Sequence, residues 1–146
     1  MDFEQLGRVL AQALGVEHLT PNDAGDYVLE FDGWLEVRIS QLSRDIALFQ
    51  AIVGRCPGND FEARAFLTRV LSYSLVNITA ASEVTSLDPD SNAICLHRTM
   101  DLRDLSVKQL EEALEQFTNA CERWTNLLAD GQATSTTIHR QHVILP

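Results

Sequence analysis

The 146-residue chain has no run of about 18 apolar residues, the length a helix needs to cross a bilayer. Its opening, Met1-Asp2-Phe3-Glu4, has neither a basic segment nor a long apolar one, so no secretory signal is expected. Basic residues are scarce. Eleven Lys and Arg stand against 21 Asp and Glu, for a net charge of −10 and a pI near 4.6. That balance argues against nucleic acid as a partner and against an anionic membrane, because both demand clustered cations. The acidity is spread along the whole chain, with no acidic tail and no hidden basic domain. Cysteines are few and odd in number (Cys56, Cys95 and Cys121), which argues against a disulfide framework and for a reducing cytoplasm. There is no Gly-rich phosphate loop, no nucleophile elbow, no His-Glu-x-x-His and no internal repeat.

What remains is a chain 45% hydrophobic and 22% charged, long enough for one globular domain with a sizeable core. Residues 2–14 read as an amphipathic helix. Asp2 and Gln5 have capping-box spacing, and Phe3, Leu6, Leu10, Ala13 and Leu14 form one stripe flanked by Val9 and Val16. Gly15 follows as a C-terminal cap. Asp32-Gly33, between the β-rich runs 27–31 and 34–40, predicts a hairpin that puts Trp34, Glu36 and Arg38 on one face. After a loop over 41–45, residues 46–53 are apolar at nearly every position, which predicts a strand covered on both faces by helices or a partner.

A second helix is expected over 61–76, capped by Asn59 or Asp60. Its Ala63, Phe66, Leu67, Val70, Leu71, Tyr73 and Leu75 span roughly 200° at 100° per residue, more than one sheet can bury. The simplest second contact is another copy of the same helix. Strands follow over 82–87 and 93–100 around the turn Asp88-Pro89-Asp90-Ser91-Asn92. Ser106 and Gln109 open a last helix with a stripe of Leu110, Leu114, Phe117, Cys121, Trp124 and Leu128, which Gly131 is expected to end. The domain therefore covers 1–131, and 132–146 is a tail without clear period. The order α-β-β-β-α-β-β-α predicts a single α+β domain with a mostly antiparallel sheet and helices packed on it.

Reactive side chains fit structural roles better than chemical ones. Glu111 and Glu115 belong to a polar helix face, where nothing desolvates a carboxylate for acid–base work. Cys95 and His97 share a strand face, and His139 and His142 lie in the tail, but no set of four converging ligands is evident for zinc. Cys121 sits in an apolar stripe as a small core residue. No catalytic or metal site is expected. The stronger signal is apolar excess at Val9, Val16, Trp34 and Phe49, which is either core or a surface that receives an extended peptide.

The layout resembles the type III secretion chaperones of Gram-negative bacteria, the small acidic class typified by the Tir chaperone, over about residues 2–130. The likeness is most specific in Leu87-Asp88-Pro89-Asp90-Ser91-Asn92-Ala93-Ile94-Cys95-Leu96, in Leu102 to Leu105, and in Leu110 to Phe117 through Trp124. It implies a cytoplasmic, non-enzymatic homodimer without nucleotide or metal cofactor. Such a dimer wraps the N-terminal segment of a secreted effector around itself in extended form and is delivered to the secretion ATPase. The resemblance maps the dimer interface to Phe66, Leu67, Val70, Leu71 and Tyr73, and effector binding to Leu6, Val9, Val16, Trp34 and Phe49. Two rival readings are a small enzyme or ligand-binding domain with a pocket beneath the last helix, and a regulatory adaptor built on the same fold.

Overall fold

A computed structural model describes the backbone of residues 1–77 and 82–144 and the side chains of 1–76 and 82–129. Three helices and five strands follow in the expected order: α1 (Phe3–Ala13), β1 (Tyr27–Phe31), β2 (Leu35–Ser43), β3 (Ile46–Arg55), α2 (Asp60–Asn77), β4 (Val84–Leu87), β5 (Ala93–Asp101) and α3 (Val107–Ile144). The strands form one antiparallel sheet in the order β1-β2-β3-β5-β4, so β1 and β4 are its edges.

The local signals work as elementary chemistry requires. The Asp2 carboxylate accepts from the Gln5 amide at 2.7 Å while the Gln5 side chain accepts from the Asp2 amide at 2.8 Å, closing the capping box. Ser106 and Gln109 do the same for α3. Asp32 and Gly33 take φ of 53° and 71°, both left-handed, in a connection of three residues, so that Phe31 pairs with Leu35 and Trp34 belongs to the turn rather than to β2. At the end of β5 Arg103 hydrogen-bonds both oxygens of Asp101 and holds that carboxyl down at about 2.

Three expectations change. β2 runs on to Ser43, past a register shift between Gln41 and Ser43, so the loop after it is only a tight turn. β3 is covered by helices on one face only. Ala47, Phe49, Ala51 and Val53 are buried, whereas Ile46, Leu48 and Gln50 are half-buried and Ile52 is exposed. The backbone of α3 continues through Gly131 to Ile144. A lone interior glycine costs only about 1 kcal/mol against alanine and does not by itself end a helix, and the 132–146 tail begins inside that helix.

All three helices pack on the inner face. Leu6 and Leu10 of α1, Phe66 and Val70 of α2, and the α3 stripe from Leu110 to Leu128 meet β1–β3 and β5 in one apolar core. Phe49 at the centre of β3 meets Phe117 edge-on, with ring centroids 5.8 Å apart. Arg98, on β5, sits 3.5 Å from Glu83 and donates to Gln116 of α3 at 3.1 Å, with both charged side chains largely shielded.

Gly7 shows how closely α1 is seated. A Cβ built there would lie 2.2 Å from Cζ and from the hydroxyl oxygen of Tyr27. That ring is buried and is packed against Phe3, 5.1 Å between centroids. Gly7→Ala should therefore lose about 1–3 kcal/mol to overpacking, outweighing the helix-propensity gain of about 1 kcal/mol. Urea unfolding tests this, and the Gly7→Ala, Tyr27→Val double variant should lose less than the sum of the two single losses, because the smaller side chain removes the clash. A Gly7→Ala protein more stable than the parent would contradict the seating of α1.

Candidate partner-binding surfaces

With the core complete, large apolar side chains remain in water on two surfaces. The first comprises the end of α1 and the β1–β2 hairpin: Leu14 and Val16 after the helix, Val28 on the outer face of β1, Trp34 at the turn and Leu42 toward the other end of β2. Trp34 is held beside the turn by its amide, which donates to the Phe31 carbonyl at 3.2 Å, and its side chain is 50% exposed. Next to this surface a groove of about 550 Å³ runs between α1 and residues 16–21, with Gly7, Ala11, Val16, Leu19 and Tyr27 among its walls. Glu4, Arg8, Glu17 and His18 rim it. Arg8 and Glu4 are 3.7 Å apart. Burial, then the Glu4 charge, pushes the Tyr27 hydroxyl above its ordinary pKa. Glu30 and Glu36 stand directly opposite each other across the β1–β2 pair, both exposed. Like charges in that position cost the isolated protein some tenths of a kcal/mol, about 0.2–1.

The second surface is the outward side of α2 with the free edge strand β4. Phe61 (84% exposed), Leu71, Leu75 and Val76 project away from the core, and Val84 and Leu87 are exposed on β4. The Ser74 and Thr85 hydroxyls share a hydrogen bond of 2.7 Å that ties the helix to the strand.

The wide apolar arc of α2 is thus two faces. Phe66 and Val70 point inward at 1% and 6% exposure, and Leu67 and Tyr73 are half-buried, Tyr73 meeting Trp124 edge-on at 6.0 Å. Of the five residues expected at a dimer contact, only Leu71 is fully on the surface. A helix 18 residues long that packs on a sheet must spend one face on its own core, and Phe66 and Val70 lie on that face. The docking expectation divides in the same way. Val16 and Trp34 are exposed and Val9 is partly buried, but Leu6 and Phe49 are 0% exposed and belong to the core rather than to a surface. Both lie on stripes that face inward, where no partner reaches them without unfolding the domain. Phe61, Val76, Val28 and Leu42 were missed. For Phe61 the signal was present, since it falls opposite Phe66 on a helical wheel.

The titratable side chains of the sheet are arranged for structure. Cys95 and His97 share the open face, as strand alternation requires, and Ser86 hydrogen-bonds His97 Nε2. Burial pushes the Cys95 thiol up and the His97 imidazole down, so neither favours its charged form. Burial pushes Cys121 up to about 12. Among the described residues no three His, Cys, Asp or Glu converge as metal ligands, and no helix is long and apolar enough to cross a membrane.

The sequence pattern of the Tir chaperone protein (CesT) family matches residues 5–125. The chain belongs to that family. Among solved structures, the ExsC–ExsE complex contains a chain 20% identical, aligned over 88% of this chain and 97% of its own with a TM-score of 0.68. The Yersinia pestis type III secretion chaperone SycH, solved with a stable fragment of YscM2, is 17% identical over 83% and 98%, TM-score 0.62. The fold also extends beyond secretion proteins. YbjN of E. coli, a putative transcription regulator, is 13% identical over 90% and 92%, TM-score 0.54. No curated protein sequence matches. At these identities the likenesses concern the fold, and the family assignment rests on the sequence pattern. The Tir chaperone pattern spans α1 to most of the described α3, so both apolar surfaces lie within it.

Proposed function

We propose that this chain is a type III secretion chaperone, working in the cytoplasm as a homodimer without catalysis. Each dimer holds the N-terminal segment of a secreted effector extended and soluble and hands it to the secretion ATPase. The observation that carries this reading is the apolar surface left exposed on a folded protomer of net charge −10. Aliphatic side chains of an unfolded client seat around Val16 and Trp34, each 100 Å² of buried apolar surface contributing about 2.5 kcal/mol. A disordered client loses chain entropy on binding, so the contact must be long, and the edge strand β1 can extend it by pairing with client backbone. The opposed Glu30 and Glu36, with Glu4 and Glu17 at the groove, favour a client segment that intersperses basic with apolar residues. The outward α2 face and β4 take the second copy.

The test is co-expression with effector genes neighbouring this one, followed by mass spectrometry of what co-purifies. A secreted effector should be recovered through its N-terminal segment. Val16→Asp with Trp34→Asp should abolish its recovery while the thermal midpoint moves by no more than about 2 °C, since both side chains are exposed. Recovery undiminished by the double substitution would remove this surface from the binding site. The likeness to YbjN favours a regulatory adaptor as the second reading, and a regulator recovered in place of any effector would select it.

A further inference from the structure

The outer edge of β1 is open over a short, bounded stretch. Residues of an antiparallel strand turn their backbone groups alternately toward a neighbouring strand and away from it. The Phe31 carbonyl accepts from the Trp34 amide at 3.2 Å, on the β2 side, and Phe31 pairs with Leu35. Tyr27, Leu29 and Phe31 therefore bond β2, while Asp26, Val28 and Glu30 face the free side. At Asp26 that side is already filled by Asn22. The Asn22 amide donates to the Asp26 carbonyl at 2.8 Å, and Asn22 Oδ1 accepts from the Asp26 amide at 2.9 Å. Past this plug, no described residue bonds the outward amide or carbonyl of Val28 or Glu30.

The side chains along the stretch give it a charge. Val28 and Glu30 are exposed on the open face of the sheet, while Leu29 is buried and Phe31 half-buried on the other. Glu30 and Glu36 form a pair of the non-hydrogen-bonded kind, in which opposed side chains come closest. Neither has an ion-pair partner among the described residues, and Arg38, two residues from Glu36, lies 3.9 Å from Asp26 instead.

On the chaperone reading, we infer that the client strand pairs with Val28 and Glu30 and that its residue level with Glu30 is a lysine or arginine, set against both carboxylates. That one cation fixes the register. Asn22 closes the ladder at one end and the Asp32-Gly33 turn closes it at the other, and a slip of two residues carries the cation away from the glutamate pair. The client residues on either side of it face Leu29 and Phe31 and are apolar, and the next residue on the open face lies beside Val28. A second copy is the weaker occupant, because an antiparallel β1–β1 contact gathers the Glu30 and Glu36 carboxylates of both copies on one face.

The experiment titrates the full-length protein into short fluorescein-labelled peptides that alternate leucine with threonine and carry lysine, norleucine or glutamate at one central threonine position, and reads anisotropy. The lysine peptide should bind about fivefold tighter than the norleucine peptide, and the glutamate peptide weakest of all. Glu30→Gln with Glu36→Gln should erase the lysine advantage and leave norleucine binding unchanged, and Glu30→Lys with Glu36→Lys should reverse the order. The Gln variant should melt at or slightly above the parent temperature, since the opposed charges no longer repel. Val28→Pro removes an outward amide that β2 does not use, which an edge strand tolerates, and should weaken all three peptides about tenfold. Lysine peptides N-methylated at the lysine or at the leucine after it read the same ladder without altering the protein, and one of the two, according to strand direction, should lose a similar amount. A lysine preference that survives the Gln substitutions would overturn the inference, as would binding indifferent to Val28→Pro and to both methylated peptides. Peptide binding lost only with Val16→Asp and Trp34→Asp, while an effector still co-purifies, would remove the β1 register and leave the chaperone reading standing. A Glu-dependent lysine preference with no effector recovered would keep the β1 site and remove the chaperone reading.

Discussion

Phe49→Ala should lower the free energy of unfolding by about 3–5 kcal/mol, a drop of roughly 10–15 °C in thermal midpoint for a chain of this size. The reason is its position. Phe49 lies on the central strand, is 0% exposed, and meets Phe117 of α3 edge-on at 5.8 Å. Truncation removes a large apolar side chain where β3 and α3 are both held by further contacts, so the cavity cannot readily collapse. Total stabilities run to about 5–15 kcal/mol, so the variant sits near the unfolding threshold. Trp34→Ala is the informative partner. Its ring is half in water beside a turn, and its loss should cost the fold about 0.5 kcal/mol or less while weakening client binding. Urea unfolding of both variants without client separates a core residue from a surface one. A Phe49→Ala protein as stable as the parent, yet unable to hold a client, would restore the surface role this residue was first expected to have.

That contrast shows what a single sequence carries. Elements specified by local chemistry were legible: the Asp2–Gln5 and Ser106–Gln109 boxes, the Asp32-Gly33 turn, and the 4-3-4-3 stripe of α3 down to Leu128. Burial that depends on which layer covers which face was not. The run Ile46 to Val53 is apolar on both sides, so its composition could not say that helices lie over Phe49 and leave Ile52 open. Helix α2 is the same problem in another period. Its inward Phe66 and Val70 and its outward Leu71 and Leu75 blend into one arc on a wheel, and only the sheet beneath decides where the division falls. The functional signal survived in coarse form, because an excess of apolar residues can be counted before it can be placed.

The two surfaces also differ in the charges around them, which matters more for partner choice than their apolar content. Glu4 and Glu17 line the α1 groove beside Arg8 and His18, and Glu30 faces Glu36 across the hairpin, whereas Arg64 and Arg69 with Asp60 line the outer side of α2. Apolar contact supplies affinity for almost any unfolded segment, whereas charge determines which segment is repelled.

On the α2–β4 side, Leu71→Asp with Leu75→Asp should turn a dimer into folded monomers of 16.3 kDa. Both side chains are about 70% exposed in the protomer, so the aspartates remain solvated there and the fold has no reason to fail. In a dimer built on this face each carboxylate loses its water without gaining a partner, at several kcal/mol. A twofold contact meets every substitution twice, so the dissociation constant should rise by at least about a hundredfold, tenfold per 1.4 kcal/mol. Val70→Asp looks equivalent by sequence, one residue away on the same helix, but should behave differently. Val70 is 6% exposed and belongs to the protomer core, so its aspartate should unfold or aggregate the chain. Sedimentation velocity with far-ultraviolet circular dichroism reads both outcomes: halved mass with intact helix signal for the Leu pair, lost helix signal for Val70→Asp. A Leu71→Asp, Leu75→Asp protein that keeps dimer mass at micromolar concentration would move the twofold off this face, and a Val70→Asp protein that is a well-folded monomer would restore Val70 to the interface.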